Sequence, residues 1–185
     1  MNEVIRTILS RRSTRLFKED PLKDEELEQI LEAAKYAPSG ANQQPWNFTV
    51  VSNKELINEI GLESKNVAKQ SENEYLRELG NNDKFKPFYE APIVIFISGD
   101  TRALASKEDC VLASQNIMLA AESLGIGSVY LGFPNFAFGG NRREEFLKKL
   151  GIPENYEIYL SISLGYKKVE AKAAARKENV VNYIK

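Results

Sequence analysis

Two short stretches concentrate the side chains able to do chemistry. Ser10-Arg11-Arg12-Ser13-Thr14-Arg15 sets three guanidiniums and three hydroxyls in six positions, and holds three of the chain's nine arginines. A guanidinium is a planar fork of donors that matches phosphate, and a neighbouring Ser or backbone N–H completes such a cradle. The same composition also suits a solvated basic patch. The second stretch, Ala37-Pro38-Ser39-Gly40-Ala41-Asn42-Gln43-Gln44-Pro45-Trp46, crowds hydrogen-bonding groups between two prolines, with one glycine to free the backbone. Loops between rigid elements commonly hold ligands. A plain helix-to-strand turn uses the same residue types, so the stretch alone leaves both uses open.

Composition removes several chemistries. The chain has no histidine and one cysteine, Cys110. Histidine zinc sites, Ser-His triads, Cys-His dyads and an intrachain disulfide are therefore excluded. Twenty-five basic against 26 acidic residues give a formal net charge of −1, so no global field favours nucleic acid or an acidic membrane. The 185 residues, 43% hydrophobic, suit one domain over 1–185 with a sizeable core. Met1-Asn2-Glu3-Val4 is not a basic segment leading into an apolar run, and no apolar run approaches a membrane span. A cytoplasmic protein without membrane or nucleic-acid partners is expected.

The elements that must position the two stretches follow from periodicity. Val4, Ile5, Ile8 and Leu9 predict a short helix over 3–10. Asp24 is expected to cap a second helix with Leu27, Ile30, Leu31 and Ala34 on one stripe, stopped by Pro38. Trp46–Val51 reads as a strand. Residues 54–80 read as two helical pieces broken near Gly61. Lys84–Tyr89 mixes cations with aromatic rings, suiting either the border of a planar anion or packing on the core. Ile93–Ile97 is a strand covered on both faces. Residues 105–124 predict the longest helix, lined by Cys110, Ala113, Ile117, Ala120, Ala121 and Leu124, with Cys110 a small buried hydrophobe. Gly125 is a helix C-cap and 128–131 a strand ending at Gly132. These glycines leave a helix and enter a strand, the reverse of a dinucleotide-binding loop. Phe133–Gly140 is an aromatic loop suited to cover a flat ligand or a partner subunit, with Phe136 and Phe138 as candidate substrate contacts. A helix over 142–149 precedes a strand in which Ile158, Leu160, Ile162 and Leu164 alternate with polar residues, read as half-buried. The charged tail after Gly165 cannot form its own core and is expected to lie along another surface.

Together these motifs resemble the FMN-dependent nitroreductases. The match includes Arg11-Arg12-Ser13-Thr14-Arg15 followed by Phe17, then Pro38–Trp46 at the family's separation. Gly125-Ile126-Gly127-Ser128 before a strand and Gly132 continue it, and Leu164-Gly165-Tyr166 with a basic tail completes it. The resemblance spans nearly the whole chain and implies an α+β fold. This is an α/β/α sandwich with a mixed, mainly antiparallel sheet flanked by helices, in an intertwined homodimer whose tail (about 166–185) extends over the partner. It implies FMN at the subunit boundary and NADH or NADPH as donor. Arg11, Arg12, Ser13 and Arg15 would hold phosphate, ribityl and pyrimidine edge. Pro38, Ser39, Gly40 and Asn42 would reach the flavin from the other subunit. Leu131 and Gly132 would lie beside its reacting edge, Arg176 would return from the tail to the phosphate, and Lys86 would stand near the pyrimidine.

The resemblance implies hydride transfer through the flavin to a small-molecule acceptor such as a nitroaromatic or quinone. No metal and no catalytic side chain are expected, because the flavin carries the chemistry. Two alternatives remain: a protein that stores or senses FMN without turnover, and a specialised relative acting on flavin itself or on a halogenated substrate.

Overall fold

The most apolar run in the chain becomes the middle of the molecule. In the computed structural model, which describes residues 1–185, β2 (Ile93–Asp100) carries seven consecutive buried residues. Such a run is what a strand sandwiched between two layers requires. β2 pairs with β1 (Trp46–Val51) on one side and with β4 (Tyr156–Tyr166) on the other, and β3 (Ile126–Leu131) closes the far edge. The order is β1-β2-β4-β3, with every adjacent pair antiparallel. The parallel component expected of a mixed sheet is confined to one bridge, Ser13 to Ser128.

Helices cover both faces, which makes the fold an α+β sandwich. On one face α2 (Asp24–Lys35) and α5 (Ser106–Ser123) set Ile30, Ala34, Cys110, Ile117 and Ala121 against Ile95, Ile97, Leu160 and Ile162. The small residues on α5 let its backbone approach the sheet closely. The other face is more aromatic: α3 (Lys54–Ala68), the 3-10 segment Phe133–Gly139 and α6 (Arg143–Lys149) enclose Phe88, Phe96, Phe138 and Phe146. α4 (Glu74–Asn81) crosses α3 so tightly that a Cβ on Gly80 would lie 2.8 Å from the Lys65 carbonyl oxygen. α1 (Glu3–Ser10) buries no residue, and its Val4, Ile5, Ile8 and Leu9 stay exposed.

Three expectations change. The break in the 54–80 region falls after Ala68, and α3 runs through Gly61. A Cβ at that glycine would meet the Phe88 ring at 3.5 Å, an ordinary contact, and the helix continues through it without a turn. Lys23 precedes α2 and Asp24 is its first residue; the Glu26 carboxylate accepts the Lys23 N–H at 3.1 Å. β4 is buried on both faces, because helical layers cover both sides of the sheet: Ser161 and Ser163 are wholly buried opposite Phe96 and Val94. The Ser163 hydroxyl donates to the Phe88 carbonyl at 2.9 Å, so polar alternation here answers a partner in the second layer and not solvent.

Candidate functional site

The arginine cluster is pinned along the β3 edge. The Arg11 N–H closes the end of α1 on the Thr7 carbonyl at 3.0 Å, after which the chain runs beside β3, with the Thr14 N–H donating to the Ser128 carbonyl at 2.9 Å. Further on, the Lys18 N–H donates to Tyr166 O at 2.9 Å and the Lys168 N–H to Leu16 O at 3.0 Å. Arg12 turns back: its Nη1 donates to the Leu9 and Arg11 carbonyls at 2.8 and 2.6 Å, serving the carbonyl end of α1. Arg11 differs. Its Nη1 is buried and has no hydrogen-bond partner. Leaving such a donor unsatisfied costs about 1–3 kcal/mol or more for a charged group, so the position is suited to an incoming acceptor. Neither Arg11, Arg12 nor Arg15 forms an ion pair with a carboxylate.

A chain of aromatic contacts leads from this cluster to the end of β3. The Arg15 guanidinium lies 5.9 Å from the Tyr89 ring centroid. Tyr89 meets Phe85 edge-on at 6.4 Å, Phe85 meets Phe133 at 4.9 Å, and Phe133 meets Phe136 at 5.5 Å. The Lys84–Tyr89 loop therefore joins the arginines and Gly132 on one edge. Phe88 takes the core-packing use of that loop, while Phe85 and Tyr89 meet edge-on outside it. Gly132 is exposed, and a Cβ there would meet nothing within 4 Å. Leu131 is buried, so its side chain supports the strand and only its backbone faces the edge. Phe136 is half-buried. Phe138 is a correction. Its ring is buried between Phe96 and Phe146, at 5.9 and 6.5 Å, so it serves the core of this layer.

The Pro38–Gln44 loop is held in an unusual backbone shape. Ala41, Asn42 and Gln44 have φ of 51°, 56° and 48°. For non-glycine residues this left-handed region costs on the order of 1 kcal/mol each and persists only where the surroundings enforce it. Those surroundings are visible. The Gly40 N–H donates to both oxygens of the buried Asp109 carboxylate, at 3.2 and 3.1 Å, and the Leu104 N–H donates to Gln43 Oε1 at 2.9 Å. Within the loop, the Gln44 N–H donates to Ser39 Oγ and the Gln44 amide to Asn42 Oδ1, each at 3.0 Å. Pro38 and Asn42 are exposed, Ser39 and Gly40 partly so.

This loop lies far from the arginines of its own chain. It feeds β1, one edge of the sheet, at Trp46, whose partner Gly99 pairs with Glu157. Ser13 joins β3, the opposite edge, at Ser128, whose partner is Leu164. Three strand spacings and seven residues along β4 separate the two corners, roughly 25 Å at ordinary sheet dimensions. Arg176 is also apart: residues 168–185 are exposed throughout, and its Nη1 donates only to Ala174 O, at 3.2 Å. The β3 side of one chain thus carries Arg11, Arg12, Ser13 and Arg15 at Ser128 and Leu131, Gly132 and Phe136 at its far end, Lys86 borders α3 beside Lys65 and Asp83, and Pro38–Asn42 and Arg176 lie apart.

Comparison with known proteins decides the family. The nitroreductase family model matches residues 8–166. The chain belongs to the nitroreductase family. A solved nitroreductase with bound FMN from Bacteroides fragilis superposes with a TM-score of 0.92 at 32% identity, covering 100% of both chains. A relative from Archaeoglobus fulgidus, provisionally named NADH dehydrogenase/NAD(P)H nitroreductase, is 36% identical over 92% of this chain and 88% of its own. A Thermotoga neapolitana relative named iodotyrosine deiodinase is 30% identical over 94% of this chain and 93% of its own. The nitroreductase fold thus accounts for both layers and the four-stranded sheet.

Two further features bear on the site. Cys110 is fully buried with its thiol pushed up to about 12, first by loss of solvation and then by the Asp109 charge, so it is no nucleophile. Asp109 was not legible as a site residue: its partner Gly40 is 69 positions away, and Lys107-Glu108-Asp109 looks like any polar helix turn.

Proposed function

We propose that this nitroreductase-family chain is an FMN-dependent NAD(P)H oxidoreductase whose flavin site is completed by a second copy of itself. The observation that carries this reading is the buried, partnerless Arg11 Nη1 in an arginine cluster anchored on β3 at Ser128, the strand that ends at the open backbone of Gly132. When bound, FMN supplies the two-electron redox chemistry, for which no side chain here substitutes. Arg11 and Arg15 offset the phosphate charge, and Ser13 adds a hydroxyl. Lys86 sets a cation near the pyrimidine side, where negative charge grows on reduction. Gly132 leaves the edge uncovered for the nicotinamide donor and then the acceptor in turn, a ping-pong order. Phe136 and its aromatic neighbours suit a flat acceptor such as a nitroaromatic or quinone.

The second copy follows from the diagonal separation of the two motifs, which leaves each chain's Pro38–Asn42 loop without a local object. The exposed apolar face of α1 and the exposed Val180, Val181, Tyr183 and Ile184 of the tail support it. In that arrangement the tail crosses to the partner and Arg176 reaches a phosphate. No helix is long and apolar enough to cross a membrane, and a cytoplasmic site of action fits this reading.

The deiodinase relative gives a specific ground for a second reading, reductive removal of halogen from a halogenated phenol. Anaerobic mixing of holoprotein with NADH or NADPH tests the first. Rapid bleaching of the flavin band, followed by reoxidation with a quinone or nitroaromatic, is expected. Absence of bleaching supports FMN storage, and bleaching reversed only by 3-iodotyrosine supports dehalogenation.

A further inference from the structure

Resting on the flavin reading above, we infer that Asp109 is a positioning residue that presents the Gly40–Asn42 loop to the flavin of the partner subunit. Asp109 is 3% exposed, and its carboxylate accepts only the Gly40 N–H among the molecule's hydrogen bonds, with both oxygens. A buried carboxylate with one donor is costly unless that bond serves a purpose. It does not cap its own helix: Asp109 is the fourth residue of α5, beyond the positions whose side chains reach the free N–H groups. The helix N-terminus favours its charge, and the charge is spent on a residue from another element.

The consequence is a fixed loop. Asp109 holds one end at Gly40, and the Leu104 N–H holds the other through Gln43 Oε1. Between these anchors lie Ala41 and Asn42, both left-handed, and the Asn42 side-chain oxygen is already committed to Gln44. The Asn42 side chain is thereby turned so that its amide N–H groups remain for a ligand. A pre-set donor binds more tightly than one ordered on arrival. A Cβ at Gly40 would make only ordinary contacts, 3.5 Å from that of Ala105 and 3.9 Å from Asp109 Oδ2, so Asp109 holds this position through its N–H and not through its size.

Mixed dimers test this. Wild type, Asp109→Ala, Asp109→Asn and Arg11→Ala, each freed of flavin, are titrated with FMN by flavin fluorescence, and Asp109→Ala is co-expressed with Arg11→Ala under separate tags. Asp109→Ala homodimers should bind FMN at least about tenfold more weakly, while Asp109→Asn, which keeps an acceptor, stays within about threefold of wild type. The mixed dimer should regain one wild-type-affinity site per dimer, because it pairs one intact arginine cluster with one intact loop. An Asp109→Ala affinity equal to wild type overturns the inference, as does a mixed dimer with no restored site. Should Asp109→Ala not fold, Gln43→Ala keeps the test decisive, being an exposed change that removes the second anchor. It should weaken FMN about fivefold and be restored in the mixed dimer; unchanged affinity overturns the fixed-loop account. Failure of the wild type to bind FMN at all would instead strike the flavin reading itself.

Discussion

Thr14 fills the space that a side chain at Gly127 would need: a Cβ at position 127 would lie 2.7 Å from both Thr14 Cγ2 and Oγ1. The contact sets how closely the arginine segment lies on β3, and so where Arg11, Ser13 and Arg15 stand relative to Gly132. Gly127→Ala should cost about 1–3 kcal/mol of stability as an overpacked site and weaken FMN binding together with it. Thermal unfolding and FMN titration check this. Weakened unfolding with unchanged FMN affinity would separate the β3 contact from the site.

Arg11 offers the plainest single-residue contrast. Its buried Nη1 lacks a partner in the chain, whereas Arg12 already serves the end of α1. Arg11→Ala should raise the FMN dissociation constant by the equivalent of about 1.5–3 kcal/mol. Because the guanidinium has no protein partner to lose and its buried donor is unsatisfied, the unfolding midpoint of the flavin-free variant should hold or rise. Flavin titration of the folded variant provides the measurement.

Cys110 should behave as packing. With its thiol held near 12 by burial, the native protein should resist alkylation at pH 8 and release one reactive thiol per chain in denaturant. Cys110→Ser should keep turnover. A native thiol that alkylates as fast as a free one would show that α5 opens.

The α3–α6 contact predicts an acid-sensitive seam. Arg142 bridges Glu59 and Glu145, Lys149 bridges the same two carboxylates, and both cations flank the buried Phe146 ring, at 4.6 and 5.8 Å from its centroid. Hydrogen bonds from Arg142 and then Lys149 hold Glu145 at about 2, below its ordinary 4.5. A carboxylate lowered on folding contributes stability that is present above 4.5 and lost as pH falls toward 2. Glu145→Gln should therefore be less stable than wild type at pH 7 and indistinguishable from it near pH 2. These groups are solvent-accessible, so added salt should shrink the difference too. Denaturant unfolding of both proteins across that range is the check.

What the sequence made legible divides along local and non-local lines. α1, α2, the strands at 46 and 93 and the Gly125 cap, at φ 75°, are written in nearby residues, and each formed within a few positions of its expected range. The arginine cluster and the Pro38–Asn42 loop stood out because their residue types are unusual together. Ser161 and Ser163 misled because a polar residue in a strand points to solvent only when that face is uncovered, and the aromatic layer covers this one. Phe138 misled for the converse reason: an aromatic residue in a loop can turn inward, and the layer that receives it is built from residues 88, 96 and 146. Asp109 was silent, since the bond that matters closes over 69 positions.

The diagonal placement of the two motifs makes one measurement decisive. Sedimentation of the holoprotein, followed in the visible flavin band, reports the mass of the species that carries FMN. The account predicts flavin sedimenting with two chains, twice 20.9 kDa, at one FMN per chain, and released when dilution separates the dimer. Flavin that sediments with a single chain, or that stays bound after the dimer dissociates, would contradict it.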